Sequence, residues 1–304
     1  MSTGSCRGRV VVITGAANGL GRAHALAFAA QGAKVVVNDL GGARDGVGAS
    51  AAPAQAVADE IAAAGGAAVA NADDISSWTG AERLIGQAID AFGGLDVVVN
   101  NAGILRDRAI VTMSEQDWDA VLGVHLKGTF AVLHHAAAYW RQRVKDGQSN
   151  DARMINTTSP SGLFGNAGQG NYGAAKAGIA SLTIIAAREL GRYGVTVNAI
   201  APTALTRLTE DIDMMRTAAA STDLSPESIS PLVVWLGSAE SREVTGRVFG
   251  AWGNKITVLE GWVNGPSVSQ DSRWDPAQLS AVVPGLVAKA APNADMLGQR
   301  DPAS

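Results

Sequence analysis

The sequence predicts a single α/β domain in which helices cover both faces of a doubly wound, parallel, Rossmann-type sheet. Short runs rich in Val and Ile alternate along the chain with longer stretches of helical pattern. This alternation is typical of β-α units joined by right-handed crossovers. The runs do not alternate polar with apolar residues, as expected of strands that are buried on both faces.

The strands are predicted from short apolar runs that are bounded by Gly or polar residues. The third run is weaker than the others, and the last is short. In chain order the predicted strands are Val10–Ile13, Lys34–Asn38, Ala67–Ala70, Leu95–Val99, Arg153–Thr157, Val195–Ala199 and Arg247–Phe249.

The helices are predicted from helical patterning and from stop signals such as Gly32 and the Gly65-Gly66 pair. Only a loop is expected between the strand at 153–157 and the helix that follows it. In chain order the predicted helices are Gly21–Gln31, Pro53–Ala64, Trp78–Phe92, one long helix Glu115–Arg143, Tyr172–Gly191 and Pro226–Ser238.

The chain of 304 residues, 47% of them apolar, is long enough to bury one large core. We expect an N-terminal extension over residues 1–8 and an NAD-binding domain over residues 9–260. Residues 261–304 are rich in Gly, Pro and Ala. We expect them to form an extension that is mobile or wraps a neighbouring subunit, not a second domain.

Composition excludes several classes of function. A net charge of −4 without a Lys/Arg run argues against a nucleic-acid partner. The single cysteine, Cys6, cannot form a disulfide framework, and the histidines lack the spacing of metal ligands, so no metal is expected. The chain shows neither a signal peptide nor an apolar run of the roughly 18 residues that span a membrane. A cytoplasmic protein is therefore expected.

A glycine-rich turn, Thr14-Gly-Ala-Ala-Asn-Gly-Leu-Gly21, joins the first strand to the first helix. Glycine permits positive φ and close approach of a phosphate to the backbone, and the free N–H groups of the helix start bind the pyrophosphate. A turn alone would also use glycine, but its position between strand and helix favours a dinucleotide site. Gly15, Asn18, Gly19, Leu20 and Gly21 are therefore predicted to bind the cofactor.

Asp39 follows the second strand, about 20 residues after the turn. A carboxylate here accepts hydrogen bonds from the adenosine ribose of NAD and repels the 2′-phosphate of NADP. The cofactor is therefore predicted to be NAD. Asp39 as a simple turn residue, and Arg44 as a partner for the 2′-phosphate of NADP, remain alternatives.

These segments, with four further motifs, resemble the short-chain dehydrogenase/reductase family over most of residues 8–260. The motifs are Asn100-Asn101-Ala102-Gly103, Ser159, Tyr172-Gly-Ala-Ala-Lys176 and Asn198-Ala-Ile-Ala-Pro202. Longer segments (VVVNDLGG, NNAGILRDR, VHLKGTF and GNAGQGNYGAAKAG) are similar to one branch of that family. This branch is represented by the dehydrogenase domain of peroxisomal multifunctional enzyme type 2, also called 17-beta-hydroxysteroid dehydrogenase type 4.

The resemblance implies that Ser159, Tyr172 and Lys176 are catalytic. Four residues apart on a helix, Tyr172 and Lys176 share one face, so the ammonium is expected to lower the tyrosine pKa. Tyr172 would then exchange a proton with the alcohol oxygen that Ser159 orients. The resemblance also implies that Lys176 holds the nicotinamide ribose, while an ordinary exposed Tyr/Lys pair is the alternative.

His125 stands where the family usually has a fourth catalytic residue, an asparagine that holds a water molecule. A histidine there would support a proton relay differently or would only pack, and both interpretations stay open. In place of the family's usual Pro-Gly beside the nicotinamide, the chain has Pro202-Thr203.

Further cofactor contacts are implied by the resemblance alone. Asp74 with Ile75 matches the family's adenine contact, and the adjacent Asp73 is an alternative in the register. Asn101, Ala102 and Gly103 would line the adenosine ribose. By analogy, Thr206 reaches the carboxamide or the pyrophosphate.

The resemblance implies an NAD-dependent oxidoreductase that interconverts a secondary alcohol and a ketone, most directly a 3-hydroxyacyl-CoA thioester with a possibly steroid-derived acyl chain. A free hydroxysteroid or other secondary alcohol is the second hypothesis, and a non-catalytic nucleotide-binding protein is a third. The segment Leu205–Asp223, with Met214 and Met215, is either a substrate lid or ordinary packing. Arg106 and Arg108 are either CoA-phosphate contacts or solvated. A homodimer or homotetramer is expected.

Overall fold

A computed structural model describes residues 4–205 and 222–300 of the chain. The predicted strand positions are confirmed, with ends that differ by at most four residues. The strands are β1 (Val10–Thr14), β2 (Lys34–Asn38), β3 (Ala67–Asn71), β4 (Val97–Asn100), β5 (Ala152–Thr157), β6 (Val195–Thr203), β7 (Val248–Trp252) and β8 (Lys255–Leu259).

The helices cover both faces of the sheet. They are α1 (Gly19–Ala30), α2 (Ala52–Ala63), α3 (Trp78–Phe92), α4 (Glu115–Leu122), α5 (Gly128–Lys145), α6 (Pro160–Phe164), α7 (Gly170–Leu190), α8 (Ser230–Gly237) and α9 (Pro276–Lys289).

The eight strands form one sheet in the order β3-β2-β1-β4-β5-β6-β7-β8. All neighbouring pairs are parallel except β7 and β8, which pair antiparallel. The strand order reverses between β1 and β4, and in a doubly wound sheet the carboxyl ends at such a point form the ligand crevice. This placement brings the turn after β1 and the Asn-Asn-Ala-Gly segment after β4 to the same edge.

Both faces of the strands are buried, which explains the missing polar alternation. In β1, Val11 and Ile13 pack in the layer of α1, α2 and α8, while Val10 and Val12 pack in the layer of α3, α5 and α7. Trp140, fully buried in the second layer, donates from Nε1 to the Leu95 carbonyl at 2.8 Å. The domain is therefore a three-layer α/β fold, as predicted.

Two helices are interrupted where the sequence predicts continuity. The predicted helix 115–143 contains a π-helical turn, Gly123–Lys127, between α4 and α5. Such wider turns are often found at functional sites. The predicted helix 226–238 is a short 3₁₀ turn followed by α8, because Pro231 in the first turn of α8 lacks an N–H group for a continuous helix.

The described parts of both predicted extensions contain ordered contacts. Cys6 is fully buried and its N–H donates to the Gln31 carbonyl at 3.3 Å, so the described residues 4–8 contact the domain. Burial raises the pKa of the Cys6 thiol. The predicted tail contains α9, and β8 is a strand that the sequence analysis missed.

Helix α6 replaces the expected loop after β5. Ser159 caps its N-terminus by accepting from the Ser161 N–H at 3.2 Å, and Pro160 occupies the first helical turn. A candidate catalytic residue is thus fixed at the junction of a strand and a helix. Within the described residues, no helix combines the length and apolar character needed to cross a membrane.

Candidate active site

One cavity of about 740 Å³ lies along the carboxyl ends of the central strands. All but one of the predicted site residues that the structure describes line it. They are Gly15, Asn18, Gly19, Leu20, Asp39, Asp73, Asp74, Ile75, Asn101, Ala102, Gly103, His125, Ser159, Tyr172, Lys176, Pro202 and Thr203.

Gly21 is the exception among the described residues, because it lies behind the turn. A Cβ at this position would lie 2.0 Å from the Gly15 carbonyl oxygen and 2.6 Å from Asn101 Nδ2. Gly21 therefore does not line the cavity, and its contact with the cofactor stays a prediction. Its role is to let helix α1 pack closely against the turn that forms the cavity floor.

The glycine turn has the backbone that a phosphate cradle needs. Gly15 and Gly19 adopt φ of +63° and +51°, which side-chain-bearing residues rarely adopt. A Cβ on Gly15 would also lie 2.7 Å from Ala102 Cα. The turn after β1 therefore touches the loop after β4, and Gly15 and Gly19 place no side chain of their own in the turn.

Thr14 holds these two loops together, a role that the sequence analysis missed. Its Oγ1 accepts the N–H groups of Asn101 and Ala102 at 3.0 and 3.1 Å. Asn101 Nδ2 donates in return to the carbonyls of Thr14 and Gly15, both at 3.1 Å. A threonine at the carboxyl end of the first strand is a weak sequence signal, because its partner strand becomes visible only in the folded sheet.

Asp39 is half-buried at the end of β2. Its Oδ2 accepts the Ala17 N–H at 3.0 Å and its Oδ1 accepts the Gly41 N–H at 2.7 Å. Each carboxylate oxygen has a second lone pair that can accept another hydrogen bond. The carboxylate is thus fixed beside the glycine turn with acceptor capacity left.

The two candidate adenine contacts differ in their partners. Asp74 Oδ1 accepts from both the N–H and the hydroxyl of Ser76, at 2.9 and 2.8 Å. Asp73 forms an ion pair with Arg83 at 2.6 Å. Both residues line the cavity, so Asp74 stays the predicted adenine contact and Asp73 stays the alternative.

Lys176 is buried beneath the cavity, on helix α7. Its Nζ donates to the Thr157 carbonyl at 2.6 Å, and the Thr158 hydroxyl donates to the Lys176 carbonyl at 2.6 Å. Burial lowers the pKa of Lys176 from 10.5 to about 7. The ammonium therefore loses its proton within the neutral range.

The expected electrostatic effect of Lys176 on Tyr172 is not present in this structure. Lys176 Nζ lies 5.6 Å from the Tyr172 ring centroid, but the pKa of Tyr172 is raised above 10.0. Burial is the dominant cause, while a hydrogen bond with Ser159 lowers the pKa and Asp107 raises it. The prediction of a lowered tyrosine pKa is wrong here because desolvation of the phenolate outweighs the Ser159 hydrogen bond, and the Lys176 charge is not among the causes of the shift.

His125 is buried in the π-helical turn, facing Tyr172. The two rings meet edge to face with centroids 5.1 Å apart. His125 Nε2 lies 2.8 Å from the Ile104 carbonyl oxygen and 3.1 Å from the Ile104 nitrogen. Burial, with the Lys176 charge as a second cause, lowers the pKa of His125 to about 3, so the imidazole is neutral.

The hypotheses that Arg106 and Arg108 contact CoA phosphates, and that Leu205–Asp223 is a substrate lid, have different outcomes. Arg106 lines the cavity, but its Nε donates to the Asp45 carbonyl at 2.8 Å and its Nη1 lies 3.9 Å from Asp117. Arg108 is exposed and donates to the Asp107 carbonyl. Thr206 and the segment 206–221 of the proposed lid, including Met214 and Met215, lie outside the described residues.

A cavity that joins a glycine cradle to a buried Ser, a half-buried Tyr and a buried Lys is suited to dinucleotide-dependent proton transfer. The family model for short chain dehydrogenases matches residues 9–217 of this chain. The chain belongs to the short-chain dehydrogenase family. It is therefore an oxidoreductase of a family that acts on CH–OH groups and uses a nicotinamide cofactor.

Similar proteins agree with this family assignment. The short-chain dehydrogenase is 46% identical to the hydroxyacyl-CoA dehydrogenase ChsB1 of Mycobacterium tuberculosis, over 93% of this chain and 89% of that protein. It is 47% identical to mouse peroxisomal multifunctional enzyme type 2, over 84% of this chain and 32% of that larger enzyme. A crystal structure of a short chain dehydrogenase from Mycobacterium avium matches with 56% identity and a TM-score of 0.87, covering 96% of this chain and 98% of that one.

The turn geometry predicts the effect of a single methyl group. Gly21→Ala is expected to weaken dinucleotide binding at least tenfold (about 1.4 kcal/mol), because the new Cβ must displace Gly15. Isothermal titration with NAD measures this change. Gly86→Ala is the matched control, since a Cβ there meets nothing within 4 Å. Equal affinity of the Gly21 variant and the wild type would contradict the prediction.

Proposed function

We propose that this short-chain dehydrogenase is an NAD-dependent 3-hydroxyacyl-CoA dehydrogenase, which interconverts a 3-hydroxyacyl thioester and its 3-oxo form. The main support for this proposal is that Ser159, Tyr172 and Lys176 line the same cavity as the glycine turn and Asp39. The substrate class is supported by relatives such as ChsB1, which is named a hydroxyacyl-CoA dehydrogenase.

Tyr172 is proposed as the group that exchanges the proton with the substrate oxygen. Its raised pKa keeps the phenol protonated at neutral pH, which suits donation to a ketone oxygen. In the oxidative direction the same oxygen, as phenolate, accepts the proton of the alcohol. Ser159, whose hydrogen bond lowers the Tyr172 pKa, orients the substrate oxygen beside the phenol.

A nicotinamide, when bound, supplies the hydride acceptor or donor. The residues present fit such a dinucleotide: Gly15 and Gly19 leave the cradle open, and Asp39 retains free acceptor capacity for ribose hydroxyls. Lys176 is proposed to hold the nicotinamide ribose. Ser159, Tyr172 and Lys176 thus stand at one end of the cavity and Asp39 at the other.

His125 is proposed as a positioning residue. Its pKa of about 3 disfavours the imidazolium that a charged relay would need. A neutral ring donating from Nε2 to the Ile104 carbonyl at 2.8 Å fixes the segment after Gly103. Its edge-to-face contact with Tyr172 then limits the orientations of the phenol ring.

Tyr172→Phe tests the proton-transfer proposal. We expect kcat with a 3-hydroxyacyl-CoA substrate and NAD to fall about 10²- to 10⁴-fold, because the general acid–base group is lost. Dinucleotide affinity, measured by titration, should stay within twofold, since the ring is kept.

His125→Asn is the comparison variant in that experiment, and it should lower kcat by less than Tyr172→Phe because the phenol remains. Full turnover by Tyr172→Phe would exclude the proposed role of the phenol. Failure of the wild type on every CoA thioester, with activity on free hydroxysteroids, would replace the proposed substrate by the second hypothesis.

NAD is proposed over NADP on the basis of Asp39. Its carboxylate is held at the end of β2 by two backbone N–H groups. The negative charge therefore meets the ribose hydroxyls of NAD favourably and opposes a 2′-phosphate at the same position.

Asp39→Asn is expected to lower the ratio of kcat/KM for NAD to kcat/KM for NADP at least tenfold. The amide keeps the size of the side chain and removes the repulsive charge. Steady-state assays with both cofactors measure the ratio. Asp45→Asn removes an exposed carboxylate nearby and should leave the ratio within twofold. A wild-type preference for NADP would refute the assignment.

A homodimer or homotetramer is proposed through α5 and α7. Large apolar side chains stay exposed on these helices, with Phe130, Val144 and Ile185 retaining 44%, 37% and 49% of their accessible surface. Large exposed apolar side chains are common where subunits meet. Light scattering after gel filtration should show two or four chains, and an active monomer would contradict the proposal.

A further inference from the structure

The C-terminal segment ends in a closed turn that Asp295 organises. The Asp295 carboxylate accepts the N–H groups of Leu297 and Gln299 at 2.9 and 2.8 Å. The backbone closes the same turn twice, from Asp295 N–H to the Gln299 carbonyl and from Gly298 N–H to the Asp295 carbonyl. Four hydrogen bonds therefore fix residues 295–299 as one unit.

This turn lies at the candidate active site, although 35 residues separate it from β8 in the chain. Met296 and Leu297 line the same cavity as Ser159 and Tyr172. Gly298 packs on Phe164, since a Cβ at Gly298 would lie 3.0 Å from the end of that ring. Helix α6 ends at Phe164, and its N-cap is Ser159. The turn is thus seated against the element that carries a proposed catalytic residue.

The part of the cavity that Met296 and Leu297 line differs in chemistry from the end that is proposed to bind the cofactor. There the cavity presents backbone amides, Asp39 and Asp73. The tail contributes only a thioether and a branched aliphatic side chain to the lining of the cavity, which also includes Pro202 and Trp252. Met adapts its shape to irregular apolar surfaces, so this end of the cavity suits a hydrocarbon group and not a phosphate.

We propose that Met296 and Leu297 form an apolar wall that binds the part of the substrate remote from the reacting carbon, and that they select for a long or bulky acyl group. This proposal rests on the proposed function. It gives the C-terminal segment a role in specificity.

The tail can be altered without removing core contacts. Helix α9, which leads to it, buries no residue, and Leu297 itself is 46% exposed. Substitutions in the turn should therefore change the cavity wall and leave the fold intact, as thermal unfolding can verify.

The first test is the double variant M296A/L297A, assayed with 3-hydroxyhexadecanoyl-CoA and 3-hydroxybutanoyl-CoA. We expect kcat/KM for the long substrate to fall at least tenfold, because two apolar contacts are truncated. The value for the short substrate and the KM for NAD should stay within twofold. L279A/V283A on the exposed face of α9 is the matched control and should change neither substrate.

The second test separates the turn from the side chains. Asp295→Ala removes the acceptor for two N–H groups and should reproduce the selective loss. Asp295→Asn keeps an Oδ1 acceptor and should retain at least half of the long-chain kcat/KM.

Unchanged long-chain kcat/KM in M296A/L297A would overturn the proposal, and so would an equal loss for both substrates. If the wild type oxidises no CoA thioester but does oxidise free hydroxysteroids, the proposed substrate class fails on its own. The same variants then test the apolar wall with two other substrates. We expect kcat/KM for a hydroxysteroid to fall at least tenfold and kcat/KM for a small secondary alcohol to stay within twofold.

Discussion

The hydrogen bond from Lys176 Nζ to the Thr157 carbonyl, at 2.6 Å, fixes the geometry on which the candidate active site depends. It joins helix α7 to the end of β5, and the Thr158 hydroxyl makes a second bond across the same junction. Because Ser159 lies two residues after β5 and Tyr172 lies one turn before Lys176, these two bonds fix both groups relative to each other. The burial that makes the junction rigid also lowers the pKa of Lys176 to about 7.

Close packing around this junction depends on the absence of a side chain at Gly162. A Cβ there would lie 2.6 Å from both Lys176 Cβ and the Ala177 nitrogen. Helix α6 therefore lies directly on α7, and Ser159 at its N-cap stays near the phenol. The same principle acts at the other end of the cavity, where Gly21 lets α1 lie against the Gly15 turn.

The cavity combines three environments that come from distant parts of the chain. Loops after β1, β2 and β4 provide the polar cradle, β5 with α7 provides the proton-transfer groups, and the C-terminal turn adds an apolar wall. Within the polar cradle, Thr14 joins the turn after β1 to the segment after β4 by accepting two N–H groups of that segment. The arrangement follows from strand order, because every one of these strands ends at the same edge of the sheet.

The sequence by itself determined seven of the eight described strands, most helices and the principal residues that line the cavity. A hydrophobic run such as Lys34–Asn38 indicates a buried strand. The four-residue spacing of Tyr172 and Lys176 indicates that both lie on one face of a helix. Both signals are local, since they depend on residues that are close along the chain.

The tertiary structure decided what depends on distant neighbours. It placed Gly21 behind the turn and inserted a π-helical turn at His125. It made Tyr172 less acidic through burial, and it brought Met296 and Leu297 to the cavity. No local pattern could reveal these features, because desolvation and packing are set by atoms that meet only after the sheet and its helix layers have assembled.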